Sequence, residues 1–116
     1  MLNVDHACRW IDELAPWLTY VNLYFQGEPL LHPKLDQLMA QCHRHGIYSS
    51  TSTNAHHLTE AKCEALIDAG LSLIIVSIDG LTQETYASYR VGGTLSKVIE
   101  GTRNMVEAKR LSLIHI

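Results

Sequence analysis

Leu73-Ile74-Ile75-Val76-Ser77-Ile78-Asp79-Gly80 is the stretch on which the fold turns. Four consecutive apolar residues, three of them β-branched, run straight into small polar residues and a turn pair. So short a run, apolar on both faces, reads as a strand in the middle of a parallel sheet covered by helices. Upstream, Cys63, Leu66 and Ile67 fall at helical spacing behind Thr59, a capping residue, and Gly70 closes that helix. Downstream, Thr82 is placed to cap a short helix reaching Arg90. Val91-Gly92-Gly93 forms a loop, and Thr94 is placed to cap a last helix with the stripe Leu95, Val98, Ile99, Thr102 and Val106.

The same unit recurs toward the N-terminus. Ile47 to Thr53 reads as a strand, followed by a loop from Asn54 to Leu58. Before it, Leu35, Leu38, Met39 and Cys42 repeat the helical spacing, with Pro33 near the start and Gly46 as the closing residue. Tyr20 to Phe25 is aromatic and β-branched, as strands are, and Gly27-Glu28-Pro29 ends it. Ala7, Trp10, Ile11 and Leu14 mark an opening helix that Pro16 stops. One helix and three strand–helix units argue for an α/β fold with parallel strands and right-handed crossovers. Both an open flavodoxin-like sheet and a (β/α) barrel fit. A complete eight-fold barrel takes about 250 residues, so 116 residues supply part of one. Leu111 to Ile116 reads either as the next strand or as foreign sequence.

Composition narrows the class. A 47% apolar and 18% charged chain is that of a globular domain, and a net charge of −3 without a basic stripe gives no reason to expect nucleic acid as a partner. No apolar run approaches the roughly 18 residues needed to cross a bilayer. No secretory leader is visible in Met1 to Trp10, so a cytoplasmic location and no membrane partner are expected. Cys8, Cys42 and Cys63 are odd in number, widely spaced and set at apolar helical positions, which reads as buried thiols. Asn22-Leu23-Tyr24-Phe25-Gln26-Gly27 resembles a tag-removal protease site but flows into the strand pattern on both sides, and is read as native.

Ligands of parallel α/β folds bind at the carboxyl ends of the strands. Three strand ends read Gln26-Gly27-Glu28-Pro29, Ser52-Thr53-Asn54 and Ser77-Ile78-Asp79-Gly80, with Tyr89-Arg90-Val91-Gly92-Gly93 close behind. Gly27 admits a ligand to the backbone. Glu28 offers a carboxylate to an ammonium group, Asn54 a donor and an acceptor, Ser77 a hydroxyl, and Arg90 a fork suited to a carboxylate. Together they suit a zwitterionic amino acid carrying a polar appendage.

These same elements, Tyr24 to Pro33, then Ser52-Thr53-Asn54, Ser77-Ile78-Asp79-Gly80, and Tyr86 with Tyr89 to Gly93, resemble the radical S-adenosylmethionine (radical SAM) superfamily. The likeness runs from about Tyr20 to Arg110 and is nearest the branch with a C-terminal SPASM extension, such as sulfatase maturases and peptide-modifying enzymes. It implies a partial (β/α)6 TIM-like barrel, with residues 1–116 as a piece of the core domain that lacks the first strand, the cluster loop and the later strands. Gly27 and Glu28 match the segment around the methionine amino group of S-adenosylmethionine. Ser77 and Arg90 match positions near its carboxylate or ribose, and Asn54 one near the ribose and reaction pocket. Asp79, in the same loop as Ser77, is carried over with it as a cofactor-binding position that also shapes the loop. Gln26 stands where many members have glycine. The resemblance implies two cofactors, S-adenosylmethionine and a 4Fe-4S cluster, with a flavodoxin or ferredoxin as reductant and a peptide, protein or small molecule as substrate. The implied reaction is reductive cleavage to a 5′-deoxyadenosyl radical that abstracts hydrogen. The family's Cys-x3-Cys-x2-Cys motif is absent from the sequence, so no cluster ligand is expected here and the piece alone is expected to be inactive.

Two rivals stand beside this reading. A non-catalytic binding module or remnant would account for the missing cysteines. A metal-dependent hydrolase is invited by seven histidines, but His43 and His45 diverge on a helix and no His-x-x-x-His pair occurs.

Overall fold

The computed structural model describes residues 2–23, 27–78, 80–90 and 92–114. Helix α1 (Val4–Leu14) opens the chain, capped by the Asn3 side chain, which accepts from the His6 amide. Pro16 follows in a short 3-10 turn, Ala15–Trp17. Strand β1 (Tyr20–Asn22), helix α2 (Leu35–Arg44), strand β2 (Tyr48–Thr53), helix α3 (Glu60–Asp68) and strand β3 (Leu73–Val76) then alternate. Helices α4 (Gln83–Tyr89) and α5 (Leu95–Ile114) close the described chain. Thr59 and Thr82 cap α3 and α4 through their side-chain oxygens, accepting from the Lys62 and Thr85 amides. Gly46 and Gly70 end α2 and α3 at φ of 67° and 89°, conformations that favour a residue without a Cβ.

The three strands pair in the order β1-β2-β3, both pairs parallel. The register sets Asn22 opposite Ser50, Ser50 opposite Leu73, and Thr53 opposite Val76. Side chains alternate along a strand, so Val21, Thr51, Ile74 and Val76 share one face and Tyr20, Tyr48, Ser50, Leu73 and Ile75 the other. The first face meets the helices. One buried cluster joins Val4, Ala7 and Ile11 of α1 to Leu38 and Cys42 of α2, and Val21 packs against it. A second joins Leu30, Met39, Leu58, Cys63, Leu66, Tyr86, Val98 and Met105, with Ile74 and Val76 packed against it. The second face is bare: Ile75 is 52% and Leu73 40% exposed, and Tyr20 and Tyr48 stack there at 5.4 Å. A parallel sheet with helices on one side only is an arc of barrel wall, its bare face turned inward. This is the α/β fold of a partial TIM-like barrel. No helix among the described residues is long and apolar enough to cross a membrane.

The structure corrects several expectations. The apolar run Leu73–Val76 is an outer strand of this sheet, not a central one, and half its residues face the bare side. The middle position belongs to β2, whose Ser49, Ser50, Thr51 and Thr53 are all buried. Hydroxyls can be buried there because neighbouring backbone accepts them, as Leu23 O does for Thr51 Oγ1 at 3.0 Å. Leu111 to Ile114 continue α5 and form no strand. The buried stripe of α5 runs through Val98, Gly101 and Met105, leaving Val106 63% exposed. In α1 the inward residues are Val4, Ala7 and Ile11, while Trp10 and Leu14 face solvent. Cys42 and Cys63 are buried as expected, but Cys8 is only partly so. The described part of the first strand is Tyr20–Asn22, and Tyr24 and Phe25 lie outside the described residues.

Ser49 Oγ is buried and has no hydrogen-bond partner in the described structure. An unmet buried hydroxyl costs about 1–3 kcal/mol. Ser49→Ala is therefore expected to raise the free energy of unfolding by about 1 kcal/mol, read from the urea midpoint at unchanged slope. A lower midpoint would mean that the hydroxyl has a partner.

Candidate functional site

The site is assembled at the carboxyl ends of β1, β2 and β3. Past β1 the chain pairs once more through Leu23 N–H to Ser50 O at 2.8 Å. It then reaches Gly27, at φ 80°, and Glu28, which begins a 3-10 turn, Pro29–Leu31. The Glu28 carboxylate is engaged three times. Oε1 accepts from the Leu30 amide at 3.2 Å and from the Thr53 hydroxyl at 2.5 Å, and Oε2 accepts from the Asn54 amide at 2.8 Å. Glu28 thus caps its own turn and bolts the end of β1 to the end of β2. A carboxylate has about four acceptor positions, so one remains for a ligand's donor.

At the end of β2, Thr53 Oγ1 also accepts from the Ala55 amide at 3.0 Å. Asn54 Oδ1 accepts from the His56 amide at 3.0 Å, an Asx turn. The carbonyl oxygen being engaged, the Asn54 carboxamide offers chiefly its two N–H donors to the hollow. Ala55 follows at φ 66°, a region that costs an L-residue about 1 kcal/mol. The strain is held by burial: Ala55 is 1% exposed and lies under α5.

Ser77 extends β3 by one residue, its amide donating to Thr53 O at 3.0 Å. Arg90 is placed by α4, whose last turn it caps through an N–H bond to Tyr86 O at 2.9 Å. Tyr86 anchors that helix. It is fully buried, and a Cβ on Gly80 or Gly93 would run into its backbone or ring. Both glycines are therefore read as clearance for the tyrosine.

Gly27, Glu28, Ser52, Thr53, Asn54, Ser77 and Arg90 line one hollow of about 380 Å³. Five of the six residues singled out in the sequence meet there, and Asp79 lies outside the described residues. Thr53 was legible only as a strand exit; its hydroxyl matters because Glu28, 25 residues earlier, accepts from it. A second hollow of about 530 Å³ shares Asn54 and Arg90 and adds His56, His57, Tyr86, Gly92, Gly93 and Lys97.

Cys8, Cys42 and Cys63, and among the described histidines His32 and His45, lie apart from this centre. Desolvation raises the thiol of Cys63 to about 11 and those of Cys42 and Cys8 above their ordinary value, so all three stay protonated at neutral pH. His45 pairs with Asp12 at 2.6 Å, joining α2 to α1, and His32 Nε2 bonds Leu2 O at 2.8 Å. Among the described residues no three His, Cys, Asp or Glu side chains cluster as a metal site would require.

The family model described as the Radical SAM superfamily matches residues 2–116. The chain is 30% identical over 107 residues to the Fe-coproporphyrin III synthase of Methanosarcina barkeri, 91% of this chain and 27% of that protein. It is 36% identical over 93 residues to the PqqA peptide cyclase of Ruegeria pomeroyi, 79% and 24% of the two. It is 33% identical over 111 residues to the GTP 3',8-cyclase of Rhodococcus opacus, 93% and 31%. The chain thus spans 24% to 31% of the length of these relatives.

Proposed function

This chain belongs to the radical SAM superfamily, and from that membership we propose that the hollow at its strand tips binds S-adenosylmethionine. The observation that carries the reading is the convergence of Gly27, Glu28, Asn54, Ser77 and Arg90 on one cavity of about 380 Å³. Their chemistry matches the ligand's. The remaining acceptor position of Glu28 and the open backbone at Gly27 suit the ammonium group. The Arg90 guanidinium suits the carboxylate, and Ser77 with the Asn54 N–H donors suits ribose hydroxyls. The chain's own work in this reading is to bind and orient.

Bound S-adenosylmethionine supplies this superfamily with a 5′-deoxyadenosyl radical for hydrogen abstraction. The superfamily also implies a 4Fe-4S cluster, but the residues described here do not fit one. Cys42 and Cys63 are fully buried on different helices, and no cluster of ligating side chains exists among the described residues. We derive no step through that group. We propose that the protein of which these residues form the S-adenosylmethionine-binding part is a hydrogen-abstracting enzyme with a flavodoxin or ferredoxin reductant. The likeness to the PqqA peptide cyclase favours a peptide substrate, and the strand-end motifs of this sequence favour a SPASM-type relative.

Adding S-adenosylmethionine to the 15N-labelled chain is expected to shift the amide signals of Gly27, Asn54, Ser77 and Arg90 along saturable curves with one dissociation constant. The Asp12–His45 contact, on the far helices, should stay unmoved. Shifts scattered over the surface, or none at millimolar ligand, would overturn the assignment.

A further inference from the structure

His56 stands at the seam of the two hollows. Its backbone N–H donates to Asn54 Oδ1 at 3.0 Å, and its Nδ1 lies 3.2 Å from Asn54 O. On the other side of the ring, Nε2 accepts from the Thr94 amide at 3.0 Å, 38 residues along the chain. The tautomer follows from the partners. A ring nitrogen that accepts from an amide carries no proton, so the proton sits on Nδ1, where a carbonyl oxygen receives it. The ring lies nearly flat on Tyr86, centroids 6.4 Å apart at 25°. One neutral imidazole thus joins the end of β2 to the residue that precedes α5, and both of its nitrogens are used within the chain.

We propose that His56 is a positioning residue of the strand-tip hollow, holding the Asn54 carboxamide, Arg90 and Thr94 in their places around the ligand. The inference rests on the S-adenosylmethionine reading above. Through its backbone His56 commits Asn54 Oδ1, which leaves the Asn54 N–H donors for the hollow. Through Nε2 it ties down Thr94, and with it the turn in which Gly93 N–H donates to Arg90 O at 2.9 Å. Removing the ring frees that turn from β2, while the backbone bond to Asn54 can survive. Arg90 and Asn54 then lose their fixed spacing, and a ligand must order them on binding.

The test uses the 15N-labelled chain and S-adenosylmethionine as the probe. Wild-type protein is expected to show a nitrogen–nitrogen coupling across the Thr94 N–H···Nε2 bond and a proton on Nδ1. His56→Ala is expected to weaken binding about fivefold to tenfold, the scale of one hydrogen bond. His56→Gln, whose Oε1 can accept from Thr94 N–H, should recover most of that loss. A proton on Nε2, or equal affinities for wild type and His56→Ala, overturns the role of His56 and leaves the ligand reading standing. Wild-type protein that binds no S-adenosylmethionine overturns both. Should His56→Ala not fold, the wild-type tautomer and the affinity of His56→Gln still decide.

Discussion

Gly101→Ala is expected to destabilise the fold by about 1–3 kcal/mol, the range seen when a packed contact is overfilled, although it places a better helix former inside α5. Alanine gains roughly 1 kcal/mol over glycine within a helix. Against that gain stands a Cβ that would lie 2.4 Å from Ala55 O and 2.9 Å from Leu58 Cβ. The first of these is main chain and cannot rotate away. Ala55 is already at φ 66° and 1% exposed, with its amide held by Thr53 Oγ1. The displacement must pass into Asn54 and His56, its neighbours in the chain. The urea midpoint should therefore fall, and the Asn54 amide signal should move with it. A raised midpoint, as helix propensity alone would give, would mean that α5 does not rest on the β2–α3 loop.

This contact also shows what could be read from the sequence and what could not. The period of α5 was plain, yet its buried face was misplaced toward Ile99 and Val106, because the stripe was sought among large apolar residues. The true line runs through Val98, Gly101 and Met105. A glycine is invisible to a hydrophobic pattern, and only the approach of another backbone gives it meaning. Strand β3 failed differently. Its apolar run was correctly a parallel strand, but its place in the sheet depends on neighbours that a local pattern does not contain. By contrast, the caps Thr59 and Thr82 and the glycine ends at Gly46 and Gly70 were legible, because each acts within four residues of itself. The strand-tip residues could be singled out by their position after each strand. Their partners could not: Glu28 with Thr53, and His56 with Thr94, are joined over 25 and 38 residues.

Glu28 carries the second large effect, because fold and site meet in its carboxylate. Glu28→Ala removes the acceptor for the Leu30 and Asn54 amides and for the Thr53 hydroxyl at once. A hydrogen bond to a charged group contributes about 1.5–3 kcal/mol, less where water reaches it. Glu28 is half-buried, so the sum is expected near 2–4 kcal/mol, with the ends of β1 and β2 no longer bolted together. Glu28→Gln separates the parts. Its carbonyl can keep Leu30 N–H and Thr53 Oγ–H, but its amide group then meets the Asn54 N–H, donor against donor. It is expected to lose about 1.5–3 kcal/mol, concentrated at Asn54. S-adenosylmethionine affinity, measured where each variant is still folded, should fall about tenfold for either substitution, because neither leaves a negative charge to face the ammonium group. If Glu28→Gln binds as wild type while its unfolding midpoint drops, the carboxylate serves the strands alone, and the ammonium group is held by backbone. If both stability and affinity are unchanged, Glu28 bridges nothing, and the hollow loses the bond that holds two of its walls together.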